Sequence, residues 1–141
     1  MPTKRKNVKL TSGPFIVPSS VDGTRGGAIR VLLIGLKNIS NRASTVNISV
    51  HVCRERALYP ATPPEIRIFH RKVTIPAGNC AFLRVPSGPN TFRGDNMLRV
   101  VMEGDTSKNA HGVVISLSGT AANGQTATSM IFKHEEFIKV K

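Results

Sequence analysis

The dipeptide Asn123-Gly124 constrains the fold of this chain more than any other feature of the sequence. It separates two runs of residues, within 112–140, in which apolar and polar side chains alternate. Asn-Gly between such runs is the strongest short-range signal for a β-hairpin, because both central residues of a type I′ turn need a positive φ. The sequence therefore predicts two antiparallel strands joined by a two-residue turn.

A two-residue turn also predicts the register of the two strands. Leu117 should face Met130 and Ile115 should face Phe132, so that the apolar residues of both strands share one face. We expect these four side chains to form one inward-facing patch of the core. The final strand is expected to stay on the same core almost to the C-terminus, through two further residues of the same parity, Ile138 and Val140.

The rest of the chain consists of similar short segments. Period-2 patterns predict strands over residues 29–39, 46–53, 65–75, 81–85 and 97–102. Twelve glycines and nine prolines punctuate the chain, and no segment of helical length has a 3.6-residue period. We therefore expect an all-β fold, a single Ig-like or jelly-roll β-sandwich of about seven to nine strands.

The stretch 29–39 is apolar on both of its faces. Val31 and Leu33 lie on one face, while Leu32 and Ile34 lie on the other. A strand of this kind is either central in its sheet or covered by a neighbour.

Residues 1–18 are predicted to be a basic, extended N-terminal arm, and residues 19–141 the β-sandwich domain. Pro14 and Pro18 exclude a central strand position, so the segment is an edge strand or an arm. It can pair as the first strand of its own domain, or it can add to the sheet of a neighbouring subunit. In the second case its apolar side chains form a subunit interface, and these are Val8, Leu10, Phe15, Ile16 and Val17.

The formal net charge is +12, from 20 basic and eight acidic side chains. Such a balance predicts a polyanionic partner, whether nucleic acid, an acidic cell-surface polymer or an acidic face of another subunit. The alternative is a soluble domain whose strand faces carry arginine without a partner. The candidate contacts with a polyanion are Lys4, Arg5, Lys6, Lys9, Arg67, Arg71 and Lys72.

Cys53 and Cys80 are the two cysteines of the chain. Alternation predicts that both point away from the main core, and consecutive sandwich strands that lie in opposite sheets would keep them apart. Two reduced thiols are favoured, with a disulfide inside the domain or a cross-link between subunits as alternatives. His51 and Cys53 share a strand face, but no further ligands accompany them, so we predict no metal site and no cofactor.

The sequence predicts a non-enzymatic protein. It contains no Gly-x-Ser-x-Gly motif, and Gly23 to Gly27 lacks the strand before and the helix after that a phosphate-binding loop requires. We assign no catalytic residue. No apolar run approaches the length of a membrane span, so we expect no membrane insertion.

Part of the chain resembles bacterial immunoglobulin-like modules of the cell-adhesion-related type. The resemblance covers roughly residues 29–104 and is carried by Lys37-Asn38-Ile39-Ser40, by the turn sequence Val-Thr-Ile-Pro-Ala-Gly-Asn-Cys at 73–80, and by Leu-Arg-Val-Val at 98–101. It implies an Ig-like sandwich.

In architecture the chain is also similar to the small β-sandwich subunits of Gram-positive spore appendages, which an N-terminal arm links into filaments. The arm of this chain contains no cysteine, which departs from a disulfide-linked filament. A basic arm ahead of a β-sandwich is similar to small viral coat proteins as well, and their arms contact packaged nucleic acid.

Two functions are therefore predicted. The first is a self-assembling structural protein, the protomer of an extracellular filament or surface appendage linked by N-terminal strand addition. The start of the chain shows no secretory signal peptide, so we expect it at a cell or spore surface by a route without a Sec signal. The alternative is a nucleic-acid-binding or capsid-type coat protein in the cytoplasm or the virion.

Overall fold

The computed structural model describes residues 8–18, 29–54, 58–109, 111–121, 124 and 126–140. Within them the chain forms ten β-strands and one short 3₁₀-helix, His134–Glu136, and no α-helix. The strands are β1 (Val8–Thr11), β2 (Phe15–Ile16), β3 (Ile29–Asn38), β4 (Ser44–Cys53), β5 (Ile66–Ile75), β6 (Cys80–Pro86), β7 (Met97–Gly104), β8 (Val113–Ala121), β9 (Thr126–Phe132) and β10 (Ile138–Lys139).

The strands form two antiparallel sheets. Sheet A has six strands in the order β10-β1-β7-β4-β5, with β2 also paired to β7. Sheet B has four strands in the order β6-β3-β8-β9. The predicted all-β sandwich is confirmed. The predicted number of strands was too low, because β1, β2 and β10 are short strands within segments predicted to be an arm or part of the last strand.

The core lies between the two sheets and is mainly aliphatic. Along β4, Val46, Ile48 and Val50 are fully buried, and the residues between them are half-buried on the outer face. Each such buried side chain contributes about 1.5–3 kcal/mol of hydrophobic stabilisation. The largest core side chains come from outside the strands, since Phe92 and Phe137 are fully buried in connecting segments.

Strand β3 is central in sheet B, between β6 and β8, as the apolar pattern on both of its faces predicted. Leu32 and Ile34 are buried in the core. Val31 and Leu33 point to the outer face of sheet B, away from sheet A, and remain half-buried.

The predicted hairpin forms, but its register differs from the predicted one. Gly124 has φ +86° and donates its N–H to the Ala121 carbonyl at 3.0 Å, while Asn123 lies outside the described residues. Thr120 faces Thr126, and the register shifts farther along the hairpin, so that Leu117 faces Phe132 instead of Met130. The predicted turn would place Thr120 opposite Ala127, so the register already differs next to the turn, and the irregularity between Leu117 and Gly119 moves it farther.

Gly119 accounts for the packing at this irregularity. A Cβ on Gly119 would lie 2.5 Å from the Met130 sulfur, so the Met130 side chain occupies the space of the missing side chain. The predicted inward-facing patch nevertheless exists. Ile115, Leu117 and Met130 are buried, and Phe132 is half-buried against them.

The last strand does not stay on the core, contrary to the prediction. Strand β9 ends at Phe132, and a 3₁₀-helix carries the chain to sheet A, where β10 pairs with β1. Glu136 accepts a hydrogen bond from the Lys133 N–H at 3.1 Å, which fixes this change of direction. Phe137 is fully buried after the turn, whereas Ile138 is 58% exposed.

The described part of the predicted N-terminal arm, residues 8–18, belongs to the sandwich. The predicted boundary at residue 18 therefore does not separate an arm from the β-sandwich domain. Strand β1 pairs with β7 over four residues, and β2 pairs with the same strand farther along. Pro14 lies between β1 and β2 and Pro18 follows β2, so neither proline interrupts a ladder. The Phe15 ring lies 4.8 Å from the Phe132 ring, which ties this segment to sheet B.

Candidate functional site

The outer face of sheet A has a groove of about 250 Å³, which we call the charged groove. Three strands provide its cationic side chains, with Lys9 from β1, Arg67 from β5 and Arg99 from β7. His51 of β4 lies between two of them, because its register partners are Arg67 on one side and Arg99 on the other. The groove is lined by Lys9, Asn47, Ser49, His51, Arg67, His70, Arg99, Val101 and Glu103.

A polar network crosses the groove. Arg99 donates two hydrogen bonds to the Glu65 carboxylate, from Nε at 3.1 Å and from Nη2 at 2.7 Å. The nearer Glu65 oxygen, Oε1, lies 3.7 Å from His51 Nδ1. The other ring nitrogen of His51, Nε2, lies 3.0 Å from the Ser49 hydroxyl. Ser49, His51, Glu65 and Arg99 therefore form one continuous chain of polar contacts.

The electrostatic environment of His51 is net positive. Burial lowers the pKa of His51 below its ordinary value of 6.5, and Arg99 lowers it further. Glu65 raises it, but Arg67 and Lys9 add to the lowering. The hydrogen bonds from Arg99 likewise lower the pKa of Glu65, which stays ionised. His51 is therefore mainly neutral at pH 7, and its surroundings favour a bound anion over a bound cation.

Two substitutions are expected to shift the His51 titration in opposite directions. Arg99→Gln should raise the pKa of His51, because it removes a cation and leaves Glu65 unpaired. Glu65→Gln should lower it further, because it removes the nearby anion. Two-dimensional NMR of the imidazole ring against pH measures both values. A shift of the same sign in both variants would contradict this arrangement of charges.

The lowered pKa of His51 also makes the stability of the fold depend on pH. Because the unfolded chain binds the proton more readily than the folded one, His51 supports folding fully above pH 6.5, and this contribution is lost as the pH falls through its folded-state pKa.

The order hydroxyl, imidazole, carboxylate in the groove is also that of a hydrolytic triad, but the geometry does not suit this chemistry. The separation of 3.7 Å between His51 and Glu65 exceeds a hydrogen bond, and Glu65 is committed to Arg99. Ser49 lies in the middle of β4, which is paired on both sides, so its backbone cannot supply an oxyanion hole. The groove is suited to binding through charge and hydrogen bonds.

The outer face of sheet B is different in character. Phe82, on the edge strand β6, is 71% exposed and lies opposite Gly35 of β3. A Cβ on Gly35 would lie 3.7 Å from the Phe82 ring, so the ring rests against the sheet with its other side in solvent. Val31 and Leu33 are half-buried on the same face, where Leu33 lies between Arg84 of β6 and Ser118 of β8.

The four outermost strands of the two sheets differ in how well they are guarded against pairing with another chain. Strand β10 has two residues, and β5 carries Arg67, Arg71 and Lys72. Strand β9 pairs irregularly with β8. Short length, charge and irregular pairing all discourage edge-to-edge association. Strand β6 has the weakest protection, since it has seven residues in regular register with β3, one ionised side chain, Arg84, and a proline at its last position.

A larger cavity of about 500 Å³ lies between the β3–β4 turn and the β7–β8 loop. Its polar groups hold these loops together. Asp105 accepts a hydrogen bond from the Thr45 N–H at 2.9 Å, and the Thr106 hydroxyl donates to the Val113 carbonyl at 2.6 Å. We therefore assign this cavity a structural role. It is lined by Ile39, Ser40, Asn41, Arg42, Ser44, Gly104, Asp105, Thr106, His111 and Gly112.

The residues predicted for a subunit interface in the arm are mostly unavailable for that role. Leu10, Phe15 and Val17 are buried in the core of their own chain, and Val8 is half-buried against it. Ile16 remains, 51% exposed. The physical reason is that these side chains bury their apolar surface against β7 and sheet B, so they cannot fill pockets of a neighbour at the same time.

The predicted polyanion contacts are partly brought together. Lys9 and Arg67 line the charged groove, and Lys72 lies on the same face of β5 because it pairs with Asn47. Arg71 pairs with Ile48 and points to the opposite side of the strand. The remaining three candidates lie outside the described residues, and they are Lys4, Arg5 and Lys6.

Arg99 and Glu65 were missed as groove residues. The period-2 pattern placed His51 and Cys53 on an outward face, but it cannot indicate which residues of other strands lie beside them. Cys53 and Cys80 are free thiols on different sheets, half-buried and exposed respectively. Among the residues described, no three or more His, Cys, Asp or Glu side chains are grouped to hold a metal ion. No helix within the same residues is long and apolar enough to cross a membrane.

Comparisons with known proteins identify no family for this chain. No protein-family model matches it, and no curated protein matches it. Among solved structures, the chain is similar to the crystal structure of Thermotoga maritima 1070, with 15% sequence identity and a TM-score of 0.48. The match covers 91% of this chain and 95% of the Thermotoga maritima chain. We infer nothing about function from this similarity.

Proposed function

We propose that this protein is a non-enzymatic structural protein that assembles with copies of itself, and that the free edge of β6 is the assembly contact. The supporting observation is Phe82, 71% exposed in the middle of the edge strand with the weakest protection against pairing. An exposed aromatic ring on an open edge favours association, because pairing satisfies the free backbone groups and removes the ring from water. This contact replaces the predicted strand addition, whose residues are buried in their own domain.

A second copy is the occupant that fits this edge best. Two β6 strands related by a two-fold axis pair antiparallel, and the two four-stranded B sheets then form one sheet of eight strands (4 + 4). A register centred on Phe82 stacks the two rings on one face. It also places Arg84 opposite Cys80 of the other copy, which keeps the two arginines apart. Pro86, which lacks an N–H, lies beyond the paired residues.

Substitution of Phe82 tests this contact. The unmodified protein should have twice the 15.2 kDa mass of one chain, or a multiple of that, in light scattering under reducing conditions. Phe82→Lys should give the single-chain mass, because it places a charge on the edge. Ile138→Lys is the matched control, since Ile138 is 58% exposed on the edge strand of sheet A, and it should leave the mass unchanged.

A single-chain mass for the unmodified protein, or an unchanged mass in Phe82→Lys, would contradict the proposal. Growth into a filament needs a further contact besides this two-fold one. Negative-stain microscopy reports that growth as fibres that persist after nuclease treatment.

A second candidate function is nucleic-acid binding, as in a coat protein. It is favoured by the net charge of +12 and by Lys9, Arg67 and Lys72, which share one face of sheet A. Contacts of this kind with phosphates are weakened by salt. Shells or aggregates that dissolve with nuclease or salt in the same microscopy experiment would favour this function over the first.

A further inference from the structure

The described residues neutralise only part of the cations of the charged groove. Arg99 is paired with Glu65. Lys9 faces Glu103 across the β1–β7 ladder, yet in the described parts of the chain no carboxylate lies within ion-pair distance of Lys9 or Arg67. Within the described residues, two cationic side chains from different strands therefore border one concave surface without an acidic partner.

The floor of the groove adds hydrogen-bonding groups to these cations. Ser49 and His51 are half-buried at the floor, and Asn47 precedes them on the same face of β4. The cations approach from β1, β5 and β7, that is, from different sides. This arrangement fits an anion whose oxygens point in several directions better than a planar carboxylate.

We propose that the charged groove binds the tetrahedral oxyanion of a phosphorylated or sulfated ligand, with Arg67 and Lys9 as its charged contacts and Ser49 and His51 beneath it. Burial lowers the pKa of His51, and Arg99, Arg67 and Lys9 lower it further, in agreement with this assignment. The site is on the outer face of sheet A, whereas the assembly edge is in sheet B, so the inference does not depend on self-assembly.

Inorganic sulfate is the first probe, because its charge stays constant over the pH range in which histidine titrates. Binding should raise the NMR titration midpoint of His51 relative to chloride at the same ionic strength, since the anion stabilises the imidazolium. Charged or titratable groups from three strands surround His51. They are Lys9 from β1, Arg99 and Glu103 from β7, Arg67 and His70 from β5, and Glu65, which directly precedes β5.

Arg67→Gln should weaken sulfate binding by about threefold to tenfold, the range expected for one partly exposed charged contact. Arg71→Gln is the matched control. It removes the same charge from the same strand, but Arg71 points to the opposite side, so sulfate binding should be unchanged.

Equal effects of the two variants, or equal effects of sulfate and chloride on His51, would overturn the proposal, because general screening would then explain the shift. Dimethyl phosphate distinguishes the sources of the group. If dimethyl phosphate shifts the titration midpoint of His51 as much as sulfate does, the ligand group is a phosphodiester. If methyl phosphate shifts the midpoint as sulfate does but dimethyl phosphate does not, the ligand group is a terminal phosphate or sulfate. If the unmodified protein assembles but does not bind sulfate, this site is refuted and the proposed function remains intact.

Discussion

Leu10→Ala is expected to lower the free energy of unfolding by about 2–5 kcal/mol, the usual cost of truncating a fully buried leucine. Leu10 is completely buried although it lies close to the N-terminus. It faces Met102 of β7 on one side and Lys139 of β10 on the other, so its loss leaves a cavity beside two neighbouring strands. Denaturant unfolding followed by circular dichroism measures the change.

Ile16→Ala is the matched control, because Ile16 belongs to the same segment but is 51% exposed. It should change the free energy of unfolding by less than about 1 kcal/mol. If the segment were an arm donated to a neighbour, Leu10→Ala would weaken assembly and leave the stability of the single chain unchanged. Deletion of residues 1–18 would remove β1 and β2 together, so such a truncation reports on folding before it reports on assembly.

Asn38→Leu is expected to lower the free energy of unfolding by about 3–5 kcal/mol, because it removes the hydrogen bonds of a fully buried amide, including the one to the buried Ile75 carbonyl. The Asn38 side chain is fully buried at the end of β3. Its Nδ2 donates to the Arg42 and Ile75 carbonyls, both at 2.8 Å. Its Oδ1 accepts from the Ser40 N–H at 2.9 Å. One amide thus joins the β3–β4 turn to β5, across the two sheets.

Asn41→Leu is the control for this substitution, since Asn41 lies in the same turn but is exposed. Its effect should be under about 0.5 kcal/mol. Denaturant unfolding of both variants gives the difference. An effect of Asn38→Leu no larger than that of Asn41→Leu would mean that the amide does not hold the turn.

Strand positions were predictable from the sequence where one face of a strand is buried. In β4 the alternation of valine and isoleucine with polar residues reproduces the buried and outward faces residue by residue. Strand β3 was also recognisable as central, because both of its faces are apolar. These patterns are local, and the alternation of side chains across a strand is enough to produce them.

Pairing over long distances was not predictable in the same way. Residues 8–16 alternate as an edge strand does, whether they pair within the chain or with a neighbour, and the observed partner, β7, is about 90 residues away. The irregularity between β8 and β9 depends on the fit of Met130 over Gly119, which a turn signal does not contain.

In the candidate site, too, the local pattern was predictable and the long-range pairing was not. Alternation predicted that His51 points outward from β4. Its neighbours Arg67 and Arg99 follow from the strand order, since β4 lies between β5 and β7. The excess of basic residues was evident from composition. That several of them lie together in a groove follows only from the strand order of sheet A.

The two outer faces of the sandwich thus have different chemistry. Sheet A presents a charged groove, and sheet B presents the exposed ring of Phe82 on an open edge. We expect the first to bind an oxyanion and the second to join two copies of the chain.

Amide hydrogen exchange along β6, at low and high protein concentration, tests the assembly edge most directly. Pairing of two β6 strands would protect the N–H groups that face away from β3, so their exchange should slow as the concentration rises. The edge amides of β5 serve as the internal reference and should exchange at the same rate at both concentrations. Exchange in β6 that does not depend on protein concentration would contradict assembly through this edge.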